Sequence, residues 1–308
     1  MVEMDFTQTL RLFVSIGLFG LLLSCRNHQE SVNKTDIVEP PKKLYSFDKS
    51  LGCYNPSIVN GSTVDARNPL KGHLVMVRSR FNKDADTEAQ SLCSGTLIGP
   101  NTVLTAAHCF PKNSISTQII ASINLFCSSG FNRNLVYTAR KVAIHPDYHT
   151  KEGPSLTSPD HDLAVVQFEG LLPNDYSPIQ LDKIDLQQEI NSPASEMIMI
   201  GFGRTQTADD SLPELRFVTK GWDRLLLSKN SKNLIDTLGL VGINQMDSKG
   251  GCNGDSGGPL LISSGGGLKI AGVASYIESQ SESNLCEQGQ IYYSYVPSYL
   301  DWIKKQLP

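Results

Sequence analysis

The sequence predicts a globular, all-β domain, and its composition and strand pattern both indicate this fold class. Its 308 residues are 40% hydrophobic and 19% charged, with 25 Gly and 16 Pro, a composition that excludes a disordered, collagen-like or coiled-coil chain. Short runs rich in Val, Ile and Leu, separated by turn residues, indicate strands at 74–77, 103–107, 163–168 and 197–200. A helical pattern of any length occurs only at the C-terminus, so the predicted fold class is all-β with a C-terminal helix.

The charge balance excludes nucleic acid as the main partner. The chain carries 27 Lys+Arg against 31 Asp+Glu, a net charge of -4, and no block of basic residues long enough to act as a polybasic arm. Its length allows one large β domain or two smaller ones, so the motifs have to decide the domain organisation.

The N-terminus carries an export signal. Residues 12–23 form an apolar run about as long as a signal-peptide core and too short to span a bilayer, so we predict that residues 1–24 are a signal peptide. The motif Leu-Leu-Ser-Cys that ends at Cys25 resembles the lipobox of bacterial lipoproteins. That resemblance implies a lipidated Cys25 and a membrane contact through the lipid, at the outer membrane of a bacterial cell envelope. The alternative is an ordinary signal peptide on a secreted protein, with an incidental cysteine.

A tether and propeptide are predicted at residues 25–57. Residues 26–52 are polar, contain two consecutive prolines and lack a periodic apolar pattern, which is typical of an extended segment. A folded domain then begins near Ile58.

The cysteine count fits an oxidising compartment. Removing Cys25 from the 7 Cys of the chain leaves six, an even number that suits three disulfides. A structural zinc site is the competing use of these side chains, but no Cys-x-x-Cys pair occurs and the 6 His do not follow zinc-finger spacing. We therefore expect no metal and no cofactor.

Three motifs carry the residue types of nucleophilic catalysis. The motif Gly-Cys-Asn-Gly-Asp-Ser-Gly-Gly-Pro at 251–259 surrounds Ser256 with glycine, which suits a loop that exposes a nucleophile and directs amide N–H groups at an oxyanion. His108 stands in the apolar stretch Leu-Thr-Ala-Ala-His-Cys, and Asp162 comes directly before the strand-like run Leu-Ala-Val-Val. A carboxylate there is costly unless it is hydrogen-bonded. Alone, each motif has a structural explanation: a tight turn, a core histidine, a strand cap.

Together, the three motifs resemble those of the trypsin/chymotrypsin family in residue type and in the order His, Asp, Ser. Further segments carry the same resemblance: 58–61 is similar to the mature N-terminus, 201–204 to the strand before the autolysis loop, and 299–303 to the closing helix. The resemblance implies two six-stranded antiparallel β-barrels with the active site between them. It also implies that residues 58–308 are a monomeric protease domain acting on protein or peptide substrates.

The resemblance assigns a role to each residue of these motifs. Ser256 attacks the scissile carbonyl, His108 takes and later returns the proton, and Asp162 holds the imidazole and stabilises its cation. The backbone N–H groups of Gly254 and Ser256 form the oxyanion hole. A catalytically silent binding or adhesion protein on the same fold is the alternative function, because a fold does not guarantee chemistry.

The same resemblance implies a disulfide framework. It pairs Cys93 with Cys109 and Cys252 with Cys286, each beside a catalytic segment. Cys53 and Cys127 have no aligned counterpart, and we predict that they pair with each other.

Activation by cleavage is also implied. In the family, a cut before the residue corresponding to Ile58 frees an α-amino group that pairs with the aspartate before the nucleophile, here Asp255, so the chain is expected to be made as a zymogen. Ser57 precedes Ile58 where many relatives carry a basic residue, so no trypsin-like activator is implied. Self-activation at this bond is a hypothesis.

The predicted specificity pocket differs from that of trypsin. Gly250, followed by Gly251, stands six residues before Ser256, where trypsin has the aspartate that receives Lys or Arg. Ile277 replaces a glycine of the family's Ser-Trp-Gly strand, and Ile291 replaces a second one. The predicted substrate-binding residues are Gly250, Gly251, Ser275, Tyr276, Ile277 and Ile291. The two isoleucines favour an elastase-like preference for Ala, Val, Ser or Thr at P1, the residue before the cleaved bond; attraction of an acidic P1 by Lys249 is the minority interpretation.

Overall fold

The computed structural model of the protein describes the second part of the chain, with internal gaps. The described residues are 58–64, 68–84, 87–121, 135–149, 161–205, 215–226, 235, 239–265, 267–279 and 284–308. The predicted signal peptide, the tether, Cys25, Cys53 and Cys127 lie outside these ranges. None of the helices within them is long and apolar enough to cross a membrane.

Strands dominate the described residues. They are β1 (Ser62–Thr63), β2 (Leu74–Asn82), β3 (Glu88–Gly99), β4 (Thr102–Thr105), β5 (Ser114–Ile120), β6 (Val136–Ile144), β7 (Ala164–Phe168), β8 (Glu196–Gly201), β9 (Arg216–Lys220), β10 (Leu240–Asn244), β11 (Pro259–Ser264), β12 (Gly267–Glu278) and β13 (Gln290–Tyr295). The α-helices are α1 (Leu186–Ile190), α2 (Leu285–Gln288) and α3 (Leu300–Lys304), and short 3-10 turns cover Pro69–His73, Ala107–Cys109, Trp222–Arg224 and Val296–Tyr299. The mostly-β class predicted from the sequence is confirmed.

The first six long strands form a closed antiparallel barrel in the order β2-β3-β4-β7-β6-β5. Burial is most complete in β4 and β7; all five residues of β7, Ala-Val-Val-Gln-Phe, are buried. Helix α3 contributes Leu300 and Ile303 to the same core cluster. The chain end also meets the barrel where Gln167 Nε2 donates a 2.7 Å hydrogen bond to Gln306 O. The C-terminal helix therefore covers the N-terminal barrel.

The remaining strands form a second antiparallel sheet in the order β1-β9-β8-β11-β12-β13-β10. The prediction was a second six-stranded barrel; the six strands β8 to β13 are present, and the short β1 adds a seventh. The segment after β9 approaches the other edge of the sheet, since Leu225 bridges Ile243 and Leu226 N donates to Gly242 O at 2.9 Å. Because β1 pairs Ser62 with Phe217, the first described residues belong to this later sheet.

Two predicted boundaries change. The apolar run 103–107 was expected to be one strand, but β4 ends at Thr105 and a 3-10 turn begins at Ala107. Cys109, the last residue of this turn, is bonded to Cys93 of β3. The closing helix, expected at 299–303, begins at Leu300 and ends at Lys304.

Candidate active site

A hydrogen-bonded histidine and aspartate lie where strand β4 ends and strand β7 begins. The β4–β7 ladder pairs Thr105 with Ala164, so the turn after β4 and the residue before β7 come together. Asp162 accepts twice from His108: its Oδ1 from the backbone N–H at 2.9 Å, and its Oδ2 lies 2.7 Å from Nδ1. Sequence reasoning predicted both residues for one site, and the structure brings them into contact.

Asp162 is fully buried, and the second sheet supplies further donors to it. Ser275 of β12 donates its hydroxyl to Oδ2 at 2.5 Å, and Ser294 of β13 donates to the Asp162 carbonyl at 3.2 Å. The carboxylate therefore has the partners that its position before a buried strand requires. Ser275 was predicted as a pocket residue; it lines the pocket and also holds the aspartate.

The environment of His108 favours its protonated form. Burial lowers the pKa of His108, but the negative charge of Asp162 and the hydrogen bond to it outweigh burial, so the pKa is raised above its ordinary value. An imidazole held at Nδ1 by a carboxylate presents Nε2 as its free basic atom. The pair can therefore accept a proton at Nε2 and stabilise the resulting cation.

The loop that carries Ser256 packs against the segment leading to His108. Ser94 N donates to Ser256 O at 2.8 Å. A Cβ on the next residue, Gly257 (φ +78°), would lie 2.1 Å from Thr105 Oγ1 and 3.0 Å from Ala106 N, so only glycine allows this approach. Among the described side chains, Ser256 Oγ makes no hydrogen bond to His108, a contact that in free enzymes often tightens only with substrate.

The backbone of the same loop offers two amide groups. Gly254 has φ +101°, and a Cβ there would lie 2.9 Å from Gly203 Cα. Within the described residues, no acceptor binds the N–H groups of Gly254 or Ser256. Such a pair of unpartnered amides can stabilise an oxyanion.

Asp255 is a buried carboxyl group with backbone partners. Its Oδ1 accepts from Gly203 N and its Oδ2 from Cys252 N, both at 2.7 Å. Burial raises the pKa of Asp255 to about 7, and the two hydrogen bonds offset this only in part. Among the described residues, no cationic side chain forms an ion pair with it.

The segment that begins at Ile58 pairs with the chain just before the loop that carries this carboxyl group. Val59 N donates to Gly250 O at 2.9 Å, and Gly250 N donates back to Val59 O at 3.3 Å. A Cβ on Gly251, the next residue, would lie 3.6 Å from Asp255 Oδ2. Ile58 itself is 1% exposed and has φ +59°, a strained conformation for a β-branched residue.

A pocket of about 190 Å³ opens next to Ser256. Of the predicted substrate-binding residues, the pocket is lined by Ser275, Tyr276, Ile277 and Ile291. The β12–β13 register places Ile277 directly opposite Ile291, so two branched side chains share one wall. Tyr276 stacks on Tyr292 with ring centroids 4.7 Å apart.

Gly250 and Gly251 do not line the pocket, and a residue that sequence reasoning missed lies behind them. The Gln245 side chain is fully buried; its Oε1 accepts from Gly251 N at 2.7 Å, and its Nε2 donates to Gly251 O at 3.2 Å and to Cys286 O at 3.0 Å. A Cβ on Gly250 would lie 2.1 Å from Gln245 Oε1. Nothing in the local sequence distinguishes Gln245 from a surface glutamine.

Two of the three predicted disulfides fall within the described residues and are present. Cys93–Cys109 has a Cα separation of 6.2 Å, and Cys252–Cys286 one of 4.9 Å. Cys93, His108 and Cys109 are the one group of metal-ligand side chains in the described ranges, but sulfurs joined in a disulfide are not thiolate ligands. The predicted Cys53–Cys127 pair lies outside the described residues.

Comparisons with known proteins agree with this geometry. A family model described as Trypsin matches residues 64–303. Chymotrypsin-like elastase family member 1 of Macaca fascicularis is 26% identical over 223 residues, which are 70% of this chain and 78% of that protein. Trypsin Blo t 3 of Blomia tropicalis is 28% identical over 220 residues, 69% of this chain and 76% of that one.

Longer proteins and a solved structure match as well. Vitamin K-dependent protein C of Mus musculus is 26% identical over 282 residues, 86% of this chain but only 56% of that protein, so the chain spans little more than half of it. The solved structure of HL collagenase superposes with a TM-score of 0.60 at 21% identity, covering 80% of this chain and 97% of the other. This likeness shows the chymotrypsin-like fold.

Proposed function

The chain belongs to the trypsin family, and from this premise we propose that it is a serine endopeptidase that uses Ser256, His108 and Asp162. The observation that carries the proposal is the buried Asp162 bonded to His108 at 2.7 Å, beside a serine loop whose glycines allow close approach. Elastase, trypsin and protein C relatives support peptide-bond hydrolysis as the reaction class.

The proposed reaction follows from these contacts. His108 Nε2 takes the proton of Ser256 Oγ as that oxygen bonds to the scissile carbonyl carbon, and Asp162 stabilises the imidazolium. The N–H groups of Gly254 and Ser256 hydrogen-bond the oxyanion. His108 then protonates the leaving amine as the C–N bond breaks, and a water molecule, deprotonated by the same imidazole, hydrolyses the acyl-serine ester.

Labelling with a fluorophosphonate tests the nucleophile. Protein processed to begin at Ile58 is expected to be labelled, and the Ser256→Ala variant is not. Ser263→Ala, a partly exposed serine of β11, serves as the control and should label like the parent. Labelling that survives in Ser256→Ala would contradict the assignment, and an unlabelled parent protein would favour the silent binding or adhesion protein.

The proposed specificity is elastase-like. It is supported by Ile277 and Ile291, which face each other at a pocket of about 190 Å³ with no charged side chain among the described residues that line it. Mapping cuts in a diverse peptide library should show Ala, Val, Ser or Thr at P1. Ile277→Gly should extend the preference to larger apolar residues, whereas Leu171→Ala, an exposed site, should not. Cuts after Lys or Arg would overturn the pocket assignment, and cuts after Asp or Glu would favour the Lys249 interpretation.

A zymogen cleaved between Ser57 and Ile58 is part of the proposal. Cleavage would place a positive α-amino group beside Asp255, which has only backbone partners among the described residues. It would also remove the strain at Ile58, because φ exists only while the carbonyl of residue 57 is attached; such strain is worth about 1–3 kcal/mol. Mass spectrometry should find Ile58 as the mature N-terminus. Purified Ser256→Ala protein that still matures would exclude self-activation.

We further propose export and lipid anchoring at Cys25, which rest on the motif at residues 22–25. Palmitate labelling of the expressed full chain should be lost in Cys25→Ala. Gels with and without reductant test the Cys53–Cys127 pair: if it forms, the segment 25–57 leaves the matured protein only after reduction.

A further inference from the structure

A second concavity lies on the N-terminal barrel, where β5 and β6 diverge. Their ladder holds three residue pairs, from Gln118↔Thr138 to Ile120↔Val136, and then ends. Residues 114–117 stay paired with β2, and residues 141–144 stay paired with β7. The groove between these two stretches has a volume of about 670 Å³, larger than the pocket beside Ser256.

Both walls of this groove are strand edges. Within the described residues, neither 114–117 nor 141–144 pairs with a strand on the groove side. An edge with free N–H and C=O groups is a template for a further extended segment, which gains main-chain hydrogen bonds from it.

The side chains around the groove define the kind of segment that fits. Lys112, Arg140 and Lys141 line it, and the described residues of its lining include no Asp or Glu, in a protein of net charge -4. Among the described residues no carboxylate forms an ion pair with these three; Arg140 donates to the neutral Gln167 amide at 3.1 Å. Complementary charge on a bound segment is therefore negative.

The groove also presents apolar surface. Ile115 is 51% exposed and Ile144 41% exposed, and they are two of the four large hydrophobic residues exposed in the described ranges. Each lines the groove from a different strand. Isolated exposed apolar residues need no explanation, but a pair facing one basic groove forms a contact surface.

The groove adjoins the proposed catalytic site. Its lining begins at Phe110, two residues after His108, and includes Tyr148. Burial, together with the negative charge of Asp162, raises the pKa of Tyr148. A polypeptide held in the groove would therefore lie next to the chain segment that carries His108.

We propose that this groove is a substrate-docking site that binds an extended, acidic and apolar segment of the polypeptide being cleaved, as a strand added between β5 and β6. The inference rests on the proposed protease function and names a feature of its substrates. Docking away from the reacting bond stabilises the bound substrate and the transition state equally. It therefore lowers KM and leaves kcat unchanged.

Matched fluorogenic substrates test the docking site in the processed protein. One contains only a cleavable core; two others add a short extension of alternating glutamate and valine, at the amino or the carboxyl side. We expect one extended substrate to have kcat/KM at least about tenfold higher at low salt, through KM, and to lose this gain near 0.5 M salt, where screening is strong. Equal kcat/KM for all three substrates would overturn the proposal.

Charge-reversed variants locate the effect. Arg140→Glu with Lys141→Glu should abolish the gain while leaving hydrolysis of the core substrate unchanged. The matched control, Lys304→Glu with Lys305→Glu on the exposed end of the chain, should keep the gain. A gain that persists in the groove variant would place the docking elsewhere and contradict the proposal.

Direct binding separates this inference from the proposed function. Fluorescence anisotropy of the labelled glutamate–valine peptide is measured with Ser256→Ala protein, which needs no catalysis. Binding that is lost in the groove variant supports docking even if the core substrate is never cleaved, in which case the protease proposal alone fails. Absence of binding, or equal binding of a glutamine–valine peptide, overturns the acidic docking site.

Discussion

A single carboxylate, Asp162, connects the two sheets at the proposed catalytic centre. It accepts from His108 on the barrel side and from Ser275 on the side of the second sheet. Because the group is fully buried, its charge is stabilised by these donors and not by water. The basicity of His108 in turn depends on that charge.

The pH dependence of activity follows at this residue. A general base must be neutral, so kcat/KM is expected to fall as the pH drops through the raised pKa of His108, above the ordinary value of 6.5. Asp162→Asn removes the charge that raises this pKa; the acid limb should move down and kcat should fall on the order of 10⁴-fold. Asp301→Asn, at an exposed site, is the control. A parent acid limb at or below pH 6.5 would contradict the proposed pairing.

Gln245 does not line the pocket, but we expect its replacement to make the pocket wall less rigid. Gln245→Ala deletes three buried hydrogen bonds to Gly251 and Cys286 and leaves a cavity, which should lower the free energy of unfolding by roughly 2–4 kcal/mol. The backbone at Gly251 also loses its hydrogen bonds to the Gln245 side chain, so the preference for valine over phenylalanine at P1 should weaken. Denaturant unfolding and paired peptide substrates measure both effects. Gln188→Ala, on the exposed face of α1, should change unfolding by less than about 0.5 kcal/mol.

Among the elements, β9 is tied to the loop after β10 by a largely buried ion pair. Lys220 Nζ lies 2.5 Å from Asp247 Oδ1, with side-chain exposures of 1% and 26%. Burial lowers the pKa of Lys220 despite the attraction of Asp247. For Asp247 burial acts to raise the pKa, but the Lys220 contact outweighs it and the pKa is lowered. The lowered pKa of Lys220 means that its charge destabilises the folded state, whereas the lowered pKa of Asp247 means that its charge stabilises it. The two effects oppose each other, so the pair contributes little net stability.

Breaking this pair should nevertheless be costly. Asp247→Asn leaves the Lys220 charge buried without a counter-charge, and we expect a loss of about 3 kcal/mol in the free energy of unfolding. Adding Lys220→Met should recover much of it. The more exposed pair Lys71–Asp175, at 2.8 Å with side-chain exposures of 21% and 50%, offers the comparison: Asp175→Asn should cost at most about 1 kcal/mol. Equal losses in denaturant unfolding for the two aspartate variants would show that burial of Lys220 is not the cause.

At the scale of the whole molecule, the first described residues belong to the C-terminal sheet. β1 pairs with β9, and Val59 pairs with Gly250 beside the proposed pocket. Asp255, five residues after Gly250, has a pKa raised to about 7. Cleavage before Ile58 would therefore change the electrostatics of a distant part of the chain.

The stability of the uncleaved chain should fall as the pH rises. The pKa of Asp255 is raised from 3.8 to about 7 in the folded state, so the native chain binds more protons than the unfolded chain between these values. From pH 5 to pH 7 the free energy of unfolding should fall by about 2 kcal/mol, because Asp255 is protonated at pH 5 and about half ionised at pH 7. In the cleaved chain the new ammonium group should lower the pKa of Asp255. The fall in its free energy of unfolding from pH 5 to pH 7 should therefore be much smaller.

Two forms of the Ser256→Ala protein make this measurable. One is intact; in the other a specific protease site replaces residues 54–57 and is cut before Ile58. Denaturant midpoints are recorded at pH 5 and pH 7 for both, so groups that titrate alike in the two forms cancel. If the denaturant midpoints of the intact and the cleaved form change equally between pH 5 and pH 7, the new amino group does not reach Asp255.

Much of the architecture could be predicted from local pattern. Apolar runs that include Leu74 and Met197 predicted β2 and β8, because alternating and continuous burial of β-branched and apolar side chains is a local property. The motif around Ser256 predicted a loop that only glycine allows, and its close approach to Thr105 is the physical reason. The end of β4 was missed because the buried apolar run continues through Ala106 and Ala107 into the turn, so the apolar pattern does not mark the boundary.

By itself, the sequence determined the fold class, the family resemblance and the residue types available for chemistry, since these depend on composition, periodicity and short motifs. Tertiary structure alone decided which side chains meet: the two serines that hold Asp162, the amide of Gln245 behind Gly251, and the groove between β5 and β6. These features arise from strand register and from contacts between residues that are far apart in the chain. A buried polar group acquires its role from those partners, which no local sequence pattern encodes.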